Sequence, residues 1–134
     1  MSNATLVSAV GFALFASALP SHAHHSFAAE FDAAKPLKMT GTVTKVEWQN
    51  PHSWFYIDVK DDAGNVTNWG MELASPNLLM RGGWTPTTLK AGDGVTVEGF
   101  HARDGRNIGN ARVIVLTATG RTVLGGSSRT GTPQ

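Results

Sequence analysis

The chain contains no cysteine, so neither a disulfide framework nor a thiol-anchored lipid is available to it. It also lacks a block of like charge. Eleven Lys and Arg are interspersed with ten Asp and Glu, for a formal net charge of +1. Nucleic acid binding rests on clustered cations that displace counterions, so this balance argues against such a partner. There is no phosphate-binding glycine loop, no nucleophile elbow and no His-Glu-x-x-His helix. Ser26 follows His25 directly, and adjacent residues cannot aim their side chains at each other as base and nucleophile. Nothing in the sequence makes a case for an enzyme.

What is present is a turn-rich β pattern: 134 residues with fifteen glycines, enough for one domain. Residues 1–23 have the form of a signal peptide. Leu6–Leu19 is uncharged and mostly apolar, Pro20 follows, and Ser21-His22-Ala23 is a small-x-small cleavage site. The run is short for a bilayer about 30 Å thick. Its n-region is atypical, because no Lys or Arg precedes Lys35. Cleavage after Ala23 would deliver a periplasmic or secreted chain with no membrane span, beginning at His24.

The expected organisation is an N-terminal arm over 24–37, a β domain over 38–124 and a disordered tail over 125–134. In the arm, Phe27 and Phe31 are spaced to dock a helical turn or an extended segment on the domain, and Lys35-Pro36 ends any helix there. The first strand, Lys38–Glu47, changes phase: Met39 and Val43 are odd, Val46 and Trp48 even. A bulge produces such a shift. Asn50-Pro51 is turn chemistry, and Phe55, Ile57 and Val59 alternate with Tyr56, Asp58 and Lys60 in a second strand. Asp61–Asn65 turns into a third, with Trp69, Met71 and Leu73 on one face.

Ser75-Pro76 reads as an N-cap and first helical residue, and Gly82-Gly83 as the stop of a two-turn helix. Val95, Val97 and Gly99 alternate in a fourth strand, Ala111–Leu116 forms a fifth, and Thr119-Gly120 turns into a short last strand, Arg121–Leu124. Three strands, a helix, then two strands is the order of a five-stranded OB-like Greek-key barrel with one short helix between strands 3 and 4. The expected core is Val43, Val46, Phe55, Ile57, Val59, Met71, Val95, Val97 and Val113.

Three stretches carry a resemblance. His24-His25-Ser26-Phe27-Ala28-Ala29-Glu30-Phe31-Asp32, Glu47-Trp48-Gln49-Asn50-Pro51-His52 and Leu89-Lys90-Ala91-Gly92-Asp93 resemble a family of small secreted bacterial proteins of unknown function. The resemblance implies a periplasmic address and an OB-like barrel, and brings no assigned activity or catalytic residue.

Two binding chemistries follow from the residues. Trp48, Trp54, Tyr56, Trp69 and Trp84 could stack on a sugar or another flat ligand. Trp48 and Trp69 share the apolar phase and belong to packing, whereas Trp54 and Tyr56 lie on the polar phase. With Asn50 and His52 they form the expected surface for a small ligand or a periplasmic protein. Glu47, Glu72 and Glu98 read as solvated strand faces, and His101 as exposed.

The second chemistry is copper. A mature N-terminal His24 would offer its amine and imidazole to one metal, with His52, His101 or His25 supplying a further nitrogen, a set that suits Cu(II). The arrangement resembles the histidine brace of secreted copper proteins. The opposing reading is a solvated His24-His25 pair and a His52 that bonds its own loop.

Overall fold

The computed structural model describes residues 27–126, an all-β fold with two short helices. Its elements run α1 (Phe27–Glu30), β1 (Phe31–Glu47), β2 (Trp54–Lys60), β3 (Val66–Glu72), α2 (Pro76–Arg81), β4 (Gly94–Ala102), β5 (Ile108–Leu116) and β6 (Thr122–Leu124). The strand order is β3-β2-β1-β4-β5-β6, and β3 also pairs with β5 in parallel through Gly70↔Ile108, Met71↔Gly109 and Glu72↔Asn110. The other pairings are antiparallel.

The strand β1 is long because it serves two partners. Its first part pairs with β4, from Phe31↔Ala102 to Thr42↔Gly94, and its last part with β2, from Thr42↔Asp58 to Glu47↔Trp54. The expected phase shift is present: Val43 faces Ile57 and Lys45 faces Tyr56, so Thr44 is the extra residue. The strand begins at Phe31 rather than Lys38. Pro36 lies at a second register shift, where a residue without an N–H is tolerated. Preceding it, α1 docks through Phe27, whose ring lies 5.7 Å from Phe31 and 5.5 Å from Phe100.

The core gathers Val43, Phe55, Ile57, Met71, Leu73, Val95, Val97 and Ile114, with Leu79 of α2 and Trp84 just after it. Each such side chain contributes about 1.5–3 kcal/mol by leaving water. Val46 and Val59 pack against this cluster as half-buried neighbours. Val113 does not lead the fifth strand inward, contrary to expectation. A register shift between Glu98 and Gly99 moves the inward positions to Ala111 and Ile114. Gly99 is required there, since a Cβ would overlap the Asn110 carbonyl.

The strand count is six, not five. Thr122–Leu124 pairs with Val113–Val115 and so extends the sheet. Gly125, expected in the tail, is buried; its carbonyl accepts from the Ala74 N–H and its N–H donates to the Arg112 carbonyl. The helix α2 is capped as its sequence requires, with the Ser75 hydroxyl accepting from Leu78 N–H and Gly82 at the C-cap. No helix among the described residues is long and apolar enough to cross a membrane, a statement about helices only.

Candidate functional site

Residues of β1, β2, β3 and β5 on the phase opposite Phe55, Ile57 and Met71 meet on one face. Cross-strand pairing aligns Glu47, Trp54, Glu72 and Asn110 in one row, and Lys45, Tyr56, Gly70 and Ile108 in the next. A groove of about 370 Å³ lies on this face, lined by Glu30, Trp54, Tyr56, Asn68, Gly70, Arg106, Asn107 and Ile108. Trp54 and Tyr56 are both half-buried, so part of each ring is offered to solvent.

Neighbours hold each ring in place. A Cβ at Gly70 would stand 3.2 Å from Tyr56 Cε1, so a side chain there would push the ring aside by a few tenths of an ångström. The Tyr56 hydroxyl donates to Glu47 Oε2 at 3.1 Å, and Lys45 Nζ lies 5.4 Å from the ring centroid. Lys45 also pairs with Glu47. Those contacts hold the Glu47 carboxyl below its ordinary range, the Lys45 hydrogen bond first and the Tyr56 bond second. Burial, then the Glu47 hydrogen bond, pushes the Tyr56 phenol up.

One loop, 103–107, lines the groove, and another, 48–53, leads into Trp54 beside it. The loop 48–53 is tied down at Ser53, which exchanges backbone hydrogen bonds with Leu73 and Ala74, and contains a cis Asn50–Pro51 peptide. The loop 103–107 grips α1: Arg103 donates to the Glu30 and Ala28 carbonyls, and Arg106 pairs with Glu30 at 3.8 Å. Asn107 accepts from Gly70 N–H. Glu30 and Arg106 therefore reach the groove from separate parts of the chain.

Beside the groove, opposite Trp54, is Glu72, 5% exposed. It is not the solvated residue expected from its phase, because β5 and the loop 48–53 cover it. His52 Nδ1 lies 3.1 Å from its Oε2, and Asn110 Nδ2 donates to its Oε1 at 3.3 Å. Burial raises the Glu72 pKa, opposed by the charge and hydrogen bond of His52, while the Glu30 charge raises it further. His52 thus bonds a strand carboxylate rather than its own loop.

The remaining expectations divide. Asn50 is exposed on its turn and does not line the groove. Trp48 and Trp69 pack against the core, and Trp84 is buried in it. Glu47 and Glu98 are partly or fully exposed and ion-paired. His101 is half-buried, its ring 5.5 Å from Trp69. His24 and His25 lie outside the described residues. Among the described residues no group of three or more His, Asp or Glu gathers in a way that could hold a metal.

A family of unknown function, DUF6152, matches residues 13–111, most of the chain and all of the site. The chain belongs to the DUF6152 family. No curated protein matches it. In this DUF6152 protein the match takes in β1 to β4, both site loops and β5 through Ala111. Sequence reasoning missed Glu30, Asn68, Glu72, Arg106 and Asn107. One signal was available: Gly70, on the outward phase of a strand, marks a close approach.

Proposed function

We propose that this protein is a periplasmic, non-catalytic binding module with an OB-like barrel, and that the Trp54–Tyr56 groove binds a small polyhydroxylated ligand of the saccharide class. The circuit of pairings β1–β2–β3–β5–β4–β1, with α2 between β3 and β4, supports the barrel. The observation that carries the ligand reading is the groove's composition. Two partly exposed rings stand two residues apart on β2, about 6.8 Å along the strand. Around them are the amides of Asn68 and Asn107, the Glu30 carboxylate and the Arg106 guanidinium.

Rings offer flat apolar faces to the C–H side of a sugar, while amides and charged groups take its hydroxyls. Glu30 offsets Arg106, so the groove does not suit a phosphodiester chain. The test is a titration of the labelled protein, followed by amide and indole resonances. The probes are maltotriose, cellotriose, the trimer of N-acetylglucosamine and a thymidine hexamer. Saturable shifts at Trp54, Tyr56, Asn68 and Asn107 with a trisaccharide support the reading. Shifts there with the hexamer alone, or with no probe, refute it.

A second reading, copper binding, is favoured by one observation. Metal-ligating histidines commonly give their other ring nitrogen to a carboxylate, as His52 Nδ1 does to Glu72, and the His52 side chain is 36% exposed. In this reading His24, as the first residue of the mature chain, supplies amine and imidazole, and His52 or His25 a further nitrogen. The mass of the secreted protein and Cu(II) spin resonance test it. A start at His24 and a sharp loss of affinity on adding one Ala before it are expected. Equal affinity of the extended form refutes it.

A further inference from the structure

A second concave site lies away from the aromatic groove, between α2 and β6. Its volume is about 500 Å³. Leu79, Trp84 and Val123 form a buried floor, and Leu78 and Leu124, 43% and 55% exposed, stand on the rim. Arg81 and Arg121 also line it, and no Asp or Glu does.

Neither guanidinium has an ion-pair partner among the described residues. By contrast, Arg103 and Arg106 are both paired. Residues 1–26 and 127–134 contain no Asp or Glu, so neither segment can bring a carboxylate side chain to Arg81 or Arg121. The terminal turn of α2 favours a cation at Arg81, but gives no reason for Arg121 to face the same groove. A single exposed leucine needs no explanation. Two exposed leucines beside two arginines with no ion-pair partner among the described residues mark this concavity as a contact surface.

We propose that the α2–β6 groove docks an extended segment of a partner protein in which a carboxylate lies beside a large apolar side chain. Arg81 and Arg121 receive the carboxylate, as guanidinium groups do with two parallel donors. Leu78 and Leu124 flank the apolar side chain. The floor residues Leu79, Trp84 and Val123 are packed into the core, and the Trp84 Nε1–H donates to the Leu124 carbonyl at 3.1 Å. Apolar contact is therefore offered along the surface, as a peptide makes it.

The test is a titration of the full-length labelled protein with acetyl-Leu-Glu-Leu-Glu-amide. Its Gln-for-Glu counterpart, decanoate and phosphatidylglycerol vesicles serve as separate probes. Saturable shifts at Leu78, Arg81, the Trp84 indole and Leu124 are expected with the acidic peptide, at least tenfold tighter than with the Gln peptide. The double variant Arg81→Glu with Arg121→Glu should weaken that binding at least tenfold with the spectrum otherwise unchanged. If the double variant does not fold, Arg121→Gln alone should still weaken it severalfold.

Equal binding of the two peptides overturns the proposal, as do shifts given by decanoate or vesicles but not by peptide. Concentration-dependent shifts at these residues before any peptide is added assign the groove to a second copy and also overturn it.

Discussion

Replacing His52 by Ala leaves the Glu72 carboxylate in its covered position with one partner fewer. Removing one member of a fully buried ion pair costs about 3–5 kcal/mol, whereas an exposed pair is worth about 0–1 kcal/mol. Here the carboxylate side chain is 6% exposed and the imidazole 36%, so the pair lies between these limits. Asn110 still donates to Oε1, which offsets part of the loss. The expected destabilisation at pH 7 is about 2 kcal/mol, a fall of roughly 10 °C in melting temperature for a domain of this size.

The pH dependence has a fixed sign. Burial raises the Glu72 pKa above its ordinary 4.5, so the folded state binds more protons than the unfolded state between those two values. Stability therefore falls as pH rises through that window. Losing His52 raises the folded value further and deepens the fall. At about pH 4 and below the carboxyl is mostly protonated in both states, and His52→Ala should cost less than about 1 kcal/mol. Urea unfolding of both proteins at pH 4 and pH 7 measures this directly. Placing Glu72→Gln beneath His52→Ala should abolish the difference between the two pH values. Equal losses at both pH values would show that His52 does not serve the Glu72 charge.

Val97 is fully buried and pairs with Met39 and Ile114, so Val97→Asp should cost at least about 4 kcal/mol; near-native thermal unfolding would contradict the core assignment. Gly99→Ala should destabilise by several kcal/mol despite its small size, because the added methyl meets the Asn110 carbonyl; circular dichroism melts measure it. Gly70→Ala displaces only the Tyr56 ring. It should lower saccharide affinity severalfold by calorimetry while changing stability by less than about 1 kcal/mol.

The parts of the fold that could be read from sequence are those decided by neighbours along the chain. The phase change between Val43 and Val46 announced the bulge at Thr44, and Ser75-Pro76 with Gly82-Gly83 bounded α2, because these are local backbone requirements. The phase of the fifth strand is not legible in its own sequence, since its shift is set by the approach of Gly99 on β4, a contact between distant segments. The burial of Glu72 is hidden from the sequence for the same reason. Alternation puts it on the outer face, and only the parallel pairing with β5 and the loop 48–53 reveals that this face is covered there. Trp54 and Tyr56 could be placed outward by parity alone. Glu30 and Arg106 could not join them, because loop 103–107 gathers them across some seventy-five residues of chain, the span of the Arg103–Ala28 bond.

The most direct measurement of the central claim is calorimetry of Trp54→Ala against the wild-type protein, using the trisaccharide that shifts the groove resonances. Trp54 is half-buried at the groove, so its truncation should cost well under the roughly 3–5 kcal/mol expected for a fully buried aromatic. Affinity should fall at least tenfold, about 1.4 kcal/mol or more of binding energy, in a protein that still melts cooperatively. Unchanged affinity in the folded variant would contradict the assignment of the groove as the binding site.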